Sequence, residues 1–433
     1  MEWYFLALIL FAALIALIII GMPIGFALGF IGVVGLIFLI GPQSLTLVGS
    51  LVWEKSISWS LVCLPLFIFM AEVMVFTGIG SDAFKAANLW LGWLPGGVGV
   101  ATVAACAVFS AACGSSTACA TAIGIMSIPE MLKLGYHKRM AAGVTAAGGT
   151  LGILIPPSIV MVIYGTITEQ SIGHLFIAGI IPGIILAAIF VTYTIITALR
   201  HPEVAPRPAA VTWHERWVSL KGVIGIVVIM GFVFGTLYTG VCTPVEVSGA
   251  GALMALIVSL VYRKLNWSNL KAAFLHTVRT NAFIFFILFG AVIFCGLVCY
   301  LGISEDMVIW MTGLSLPRWG ILIIIYVIYI ILGMFLDPTG MMMITLPFLF
   351  PVIVKLGYDP IWFGVVVTML CEMGYLTPPF GFNLFIIKGI SPPEVGLGDI
   401  IRGCVPFVIL MLIAIVIYTI FPQIVLYLPS KMG

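Results

Sequence analysis

Apolar runs long enough to cross a bilayer follow one another along this chain, with little polar sequence between them. About 20 apolar residues span the hydrocarbon core, and such runs lie near 4–20, 24–41, 59–77, 174–199, 218–240, 245–262, 281–301 and 400–427. Four further runs depart from the pattern. Residues 97–112 and 115–132 are joined only by the polar knot Cys113 to Thr117, and 319–335 and 338–354 only by Asp337-Pro338. A segment that goes in, turns at a polar tip and returns is a re-entrant hairpin, tolerated where its tip is buried in protein or lines a wet cavity. Two ordinary spans with a tight external turn are the alternative. The runs 138–168 and 360–390 each hold a double proline, Pro156-Pro157 and Pro378-Pro379. Proline removes a backbone donor and clashes with the carbonyl one turn back, so each run is expected as two half-helices. Three polar stretches near 81–94, 263–279 and 304–317 mix charged and aromatic residues, such as Lys85, Trp90, Trp93, Trp267, Lys271 and Arg279. They are expected as helices lying along the interface, with plain loops as the alternative.

The interrupted segments occur twice. Pro129, Lys133-Leu134-Gly135-Tyr136 and Gly152 to Pro157 recur 222 residues later, without a gap, as Pro351, Lys355-Leu356-Gly357-Tyr358 and Gly374 to Pro379. At the same offset Gly114-Ser115-Ser116-Thr117 falls on Leu336-Asp337-Pro338-Thr339. Two repeats follow. One covers 1–215, with scaffold helices in 1–80, hairpin 97–132, broken helix 138–168 and helix 174–199. The other covers 216–433, with scaffold helices in 218–301, hairpin 319–354, broken helix 360–390 and helix 400–427. Arg200, Arg207, Arg216 and Lys221 on one flank of a helical pair, and Arg263, Lys264, Lys271 and Arg279 on the other, place both flanks in the cytoplasm. Counting outward puts Lys85, Lys133, Lys138, Arg139 and Arg402 on that side as well. The first hairpin then opens to the cytoplasm, the second to the opposite side, and both termini lie outside. That count takes Gly21-Met22-Pro23 as a turn; a kink there would move the N-terminus inside. Halves that enter the membrane in opposite senses form the inverted repeat of many secondary transporters.

Composition agrees, since 63% of residues are hydrophobic and 8% charged, against about a quarter charged in soluble domains. The expected fold is an all-α polytopic membrane protein. A net charge of +2, spread thinly through loops, excludes a nucleic-acid partner. The apolar start from Trp3 to Ile20 follows Glu2, has no basic n-region and no small-residue cleavage pattern, so it reads as a retained helix. Nine cysteines and five histidines show no metal-ligand spacing, and no disulfide is implied; the cysteines read as small packing residues. Neither H-E-x-x-H nor G-x-x-x-x-G-K-[ST] occurs, so neither a zinc protease nor ATP hydrolysis is expected, and no catalytic residue is assigned.

Each helix break leaves free N–H groups at the start of the next half and free carbonyls at the end of the one before. Half-helix starts after Gly114, Asp337, Pro156 and Pro378 each carry about half a unit of positive charge, and together they suit an organic anion, a carboxylate or sulfonate. Candidate substrate contacts are therefore Ser115, Ser116, Thr117, Pro157 and Ser158 in the first half and Asp337, Thr339 and Pro379 in the second. Carbonyls of the preceding halves, with Ser and Thr hydroxyls, are hard oxygen ligands of the kind a small cation takes. Asp337 has two roles open to it, N-cap of the following half-helix or ligand contact. The role of Glu372 is open, and Glu72 stands alone in its span.

At these residues the chain resembles a known family, the large membrane (M) subunits of tripartite ATP-independent periplasmic (TRAP) transporters. The resemblance covers nearly the full length. It is carried by Gly21-Met22-Pro23-Ile24, Ser110 to Ser115, Ile128-Pro129-Glu130-Met131, Gly135-Tyr136 and Leu151 to Ser158, then by Leu336 to Thr339, Gly357 to Pro360 and Leu376 to Phe385. What it implies is an elevator-type, sodium-coupled importer of organic acids in the bacterial inner membrane. It implies two partners, a small four-helix membrane (Q) subunit and a periplasmic substrate-binding (P) protein, and no cofactor beyond Na+ as coupling ion. The family's first sodium site matches Ser110, Gly152, Ile155 and Pro156, with Cys113 where many members have serine. Its second matches Gly333, Gly374, Thr377 and Pro378. The Glu372-Met373-Gly374-Tyr375 variant resembles a subgroup with less usual substrates. A stand-alone anion/sodium symporter of related architecture is the alternative within transporters; a membrane-embedded enzyme or a passive channel would be the alternatives outside them.

Overall fold

The computed structural model describes residues 3–206 and 212–432. Glu2 and Arg207 lie outside the described residues. The described chain is α-helical, with three short 3-10 turns and no strand among the described residues. In the first half the helices are α1 (Trp3–Ile19), α2 (Ile24–Ile40), α3 (Leu45–Ser56), α4 (Cys63–Phe76), α5 (Ile79–Leu91), α6 (Gly97–Cys113), α7 (Ser116–Lys133), α8 (Lys138–Leu154), α9 (Ile159–Thr168) and α10 (Ile172–Arg200). The second half holds α11 (Trp213–Tyr238), α12 (Pro244–Val261), α13 (Trp267–Tyr300), α14 (Ile303–Gly313), α15 (Arg318–Gly333), α16 (Pro338–Lys355), α17 (Pro360–Leu376), α18 (Phe382–Ile390), α19 (Leu397–Ile420) and α20 (Gln423–Leu426). The 222-residue offset carries α7 onto α16 and α8 onto α17 at both ends.

Local chemistry sets these boundaries. Thr212 and Thr243 open α11 and α12 with capping boxes, each hydroxyl taking an N3 amide while Glu215 or Glu246 returns a carboxylate to the cap. Ser171 and Asn266 cap α10 and α13. Among the described residues eight helical segments are long and apolar enough to cross a membrane, and large apolar side chains such as Phe38, Ile224, Leu253 and Ile323 stay exposed on the outside of the bundle. An apolar outer face of this kind suits hydrocarbon as solvent.

Three elements differ from the sequence reading. The run 400–427 is not one helix: α19 ends at Ile420, and Phe421-Pro422 separates it from the short α20, because proline cannot continue the helix before it. The stretch 263–279 is not a separate interfacial helix: most of it forms the first turns of α13, which continues unbroken for 34 residues to Tyr300. No glycine or proline falls between Trp267 and Phe289, so the change from polar to apolar composition does not interrupt the backbone. At 1.5 Å per residue α13 is about 51 Å long, well over the ~30 Å hydrocarbon core. Residues 42–58, which the apolar pattern leaves unassigned, form a 3-10 turn and α3. The stretches 81–94 and 304–317 do form helices, α5 and α14, and Lys264 pairs with Asp82 to tie α5 to the turn before α13.

α8 and α17 run through the centre and are buried almost throughout. Helix α19 shows how they are directed. At its start, Lys138 Nζ donates to the Glu394 carbonyl at 2.7 Å and Arg139 pairs with Asp399 at 3.5 Å; at its end, the Trp362 indole donates to the Tyr418 carbonyl at 2.8 Å. Because α8 begins beside the start of α19 and α17 beside its end, the two central helices enter from opposite ends of the bundle. Around them, α2 lies along α13 through Gly25, Gly29 and Gly32, where an added Cβ at Gly32 would meet Ile293 at 2.8 Å. Small residues spaced in this way let membrane helices approach backbone to backbone.

Candidate functional site

The first hairpin tip is made by a left-handed glycine followed by a cap. Gly114 ends α6 at φ 63°, and the Ser115 hydroxyl accepts from the Ala118 amide at 3.4 Å to start α7. That tip sits directly on the α8–α9 break. A Cβ on Gly114 would lie 2.6 Å from the Pro157 carbonyl oxygen, and one on Gly152 would lie 2.7 Å from the Ser115 carbonyl carbon, so only glycine permits this approach. Cys113 Sγ donates to the Ser115 carbonyl at 3.8 Å, and the Ser110 hydroxyl pairs with Cys119 Sγ at 3.5 Å. At Ile155 the chain turns extended, with ψ 119°. The last carbonyls of α8 therefore lose the next-turn amides that would have capped them.

The second tip repeats the plan with different atoms. Asp337 caps α16, its carboxylate accepting from the Thr339 and Gly340 amides at 3.1 and 3.2 Å. This tip sits on the α17–α18 break: a Cβ on Gly374 would run into the Gly333 backbone, and the Phe380 amide donates to the Met334 carbonyl at 3.2 Å. Thr377 turns extended and its hydroxyl donates to the Met373 carbonyl at 2.6 Å. Pro156-Pro157 and Pro378-Pro379 are both cis.

Both tips face one cavity of about 440 Å³. Of the eight candidate substrate residues, Ser115, Thr117, Asp337 and Thr339 line it. The other four are not part of its lining. Ser116 is buried and donates its hydroxyl to Glu372 Oε1, which gives that carboxylate one partner while Oε2 has none. Ser158 spends its hydroxyl on the Met161 amide at 3.2 Å as the cap of α9. Pro157 and Pro379 shape the breaks. The cavity also takes residues that the sequence reading missed, including Met22 to Ile24, Thr280, Phe283 and Tyr375. Gly21-Met22-Pro23 had a local mark, as a proline-glycine interruption between two apolar runs, and Tyr375 stood in the Glu372-Met373-Gly374-Tyr375 variant without a site role; Thr280 and Phe283 look like ordinary span residues.

A second chamber of about 390 Å³ adjoins the first and shares Ser115, Thr117, Ile159 and Thr280 with it. Glu72, alone in its own span, gains a partner here, because His276 of α13 places Nδ1 2.8 Å from its Oε1. Both side chains line the chamber, together with Cys113 and Thr121. Among the described residues, no lysine or arginine lines either chamber. Each hairpin tip thus presents hydroxyls and the start of a helix to enclosed space, on elements that arrive from opposite ends.

The geometry is matched by relationship. Residues 11–424 match the family described as "Tripartite ATP-independent periplasmic transporter, DctM component". The chain belongs to this family. The match takes in both hairpins, both proline breaks and nearly all of the helices around them, and it makes the chain the large permease of a TRAP system, a transport subunit and not an enzyme. The C4-dicarboxylate TRAP transporter large permease protein DctM of Pseudomonas aeruginosa is 33% identical over 398 residues, covering 92% of each chain. The isethionate TRAP transporter permease protein DctMQ of Oleidesulfovibrio alaskensis is 29% identical over 423 residues, 97% of this chain and 66% of that one. Among solved structures, the YdaH transporter of Alcanivorax borkumensis shares the fold, with a TM-score of 0.59 at 15% identity over 84% of this permease and 86% of that chain.

Proposed function

We propose that this permease is the membrane pathway of a sodium-coupled importer of an organic anion, a carboxylate or sulfonate, that a periplasmic binding protein delivers. In this reading it works in the bacterial inner membrane with a small four-helix subunit. The observation that carries the proposal is the convergence of two hairpin tips, each seated on a proline break, around one cavity. At the first junction Ser110, Cys113, Gly152, Ile155 and Pro156 offer carbonyl and hydroxyl oxygens with one sulfur; at the second, Gly333, Gly374, Thr377 and Pro378 offer oxygens. Sodium takes hard oxygen ligands, and each ion would lie just behind a tip. A cation there fixes the tip and adds positive charge next to the starts of α7 and α16, where the anion is drawn. Coupling follows because the residues that hold the ion also shape the anion site: Ser115 accepts from Cys113 through its carbonyl while its hydroxyl faces the cavity.

Movement belongs to the same reading. The two hairpins, the broken helices α8–α9 and α17–α18, and α10 and α19 pack as one body, with α2, α4, α12 and α13 outside it, and the cavities lie at the seam where Thr280 and His276 of α13 meet Ser115 and Thr117. An elevator would slide the first body, its ions and its cargo along the second, in keeping with two inverted repeats. The relatives named for C4-dicarboxylates and isethionate, two acidic solutes, support an anionic cargo. The test is uptake by proteoliposomes that hold the permease with its small subunit, supplied with the loaded binding protein. A sodium gradient is expected to drive accumulation; uptake indifferent to sodium would reject the coupling.

A further inference from the structure

Building on that reading, we infer that the cargo carries one anionic head and a far end that is hydroxyl- or amine-bearing, and that a dicarboxylate is disfavoured. The two chambers together form a polar space with unlike ends. At one end the start of α7, at Ser115 and Thr117, faces Thr339 and the start of α16. The starts of α9, at Ile159 and Val160, and of α18, at Phe382, line the same end, so the half-helix starts gather at one place and draw a negative group there; part of that pull is already met by Asp337, whose carboxylate holds two amides of α16.

At the other end no second anion finds a partner. The chamber beyond Ser115 and Thr117 is lined by Thr121, Thr280, Glu72 and His276. The imidazole, the one ring there able to carry positive charge, is already bonded to Glu72 at 2.8 Å. With no lysine or arginine among the described residues on either wall, a second carboxylate would approach the Glu72 carboxylate without a free cation to pair with. Like charges repel. A hydroxyl or ammonium group meets the opposite situation, since Glu72 accepts from it and the threonine hydroxyls serve either kind. Discrimination of this kind comes from an unfavourable group facing the wrong ligand.

The experiment heats the purified permease and its small subunit in detergent with about 10 mM of one probe, in sodium chloride or in choline chloride, and reads Tm, which rises further the larger the ratio of ligand concentration to Kd. The probes are 2-hydroxyethanesulfonate, 2-aminoethanesulfonate and succinate. Expected is a sodium-dependent rise in Tm with both sulfonates and less than half that rise with succinate. In Glu72→Gln the succinate shift is expected to climb to the level of the sulfonates. Glu72→Leu, which removes the same charge with an apolar side chain, serves as the second variant if Glu72→Gln fails to fold, with the same rise expected for succinate. Succinate stabilising the unaltered permease as strongly as the sulfonates overturns the inference. So does a succinate shift that neither variant raises, or the absence of a shift with every probe. Sodium-driven uptake, measured on the same preparation, separates these outcomes from failure of the importer reading itself.

Discussion

Asp337 shows how one residue can satisfy two sequence-level readings at different strengths. Its carboxylate caps α16 through two amides and also lines the cavity, so the cap is established by geometry and the charge is free to act on a ligand. Substitution separates the two. Asp337→Ala is expected to lower stability by about 1 kcal/mol, whereas Asp337→Asn, an equally good cap, is expected to stay within a few tenths of that unit; thermal unfolding of both variants in detergent checks the pair. Thr377 is a second residue whose hydroxyl has a defined local partner, the Met373 carbonyl at 2.6 Å. If Thr377 holds the second cation, Thr377→Ala should keep expression and raise the sodium concentration for half-maximal uptake by about fivefold, the equivalent of about 1 kcal/mol of lost contact. An unchanged sodium dependence takes Thr377 out of the site.

At the scale of elements, the helix seams rest on glycine where backbones touch and tolerate larger residues where they do not. Gly32 on α2 faces the Ile293–Phe294 backbone of α13, with a built Cβ 2.9 Å from the Phe294 nitrogen. Gly32→Val should therefore separate the two helices, at a cost of about 1–3 kcal/mol from overpacking, read as lower thermal stability and lower yield. Gly231 in α11 has nothing within 4 Å of a built Cβ. Gly231→Ala should be neutral or stabilising by up to about 1 kcal/mol, because alanine loses less chain entropy in a helix. Much of this level was legible in the chain. The hairpins, the broken helices and their ends fell where proline, glycine and capping residues put them, since these act within one turn. The stretch 263–279 was misread because composition changed there while the backbone had nothing to stop it.

On the scale of the whole molecule, the cavities sit at a seam between α13 and the first hairpin, with Thr280 on one side and Thr117 on the other. An elevator must shear this seam, because sliding one body along another moves such pairs apart. Thr117→Cys with Thr280→Cys, in a background depleted of the native cysteines and joined by a short bifunctional thiol reagent, should abolish sodium-driven uptake while leaving binding-protein docking and thermal stability in place. Uptake by the double variant before the reagent is added, and by either single cysteine treated in the same way, sets the level against which the loss is read. Full transport in the bridged protein would show that this seam does not move.

What the chain determined by itself was everything that local chemistry controls: which segments are apolar enough to leave water, where proline and glycine break them, which side chains cap the fragments, and that the pattern occurs twice. The tertiary structure decided which broken ends meet. It set Ser115 and Thr117 opposite Asp337 and Thr339, turned Ser116 away toward Glu372, and joined Glu72 to a histidine 204 residues distant. Capping and helix breaking depend on neighbours within one turn, so they can be read along the sequence. The charge balance of the cavity depends on packing between helices far apart in the chain, which no local pattern encodes.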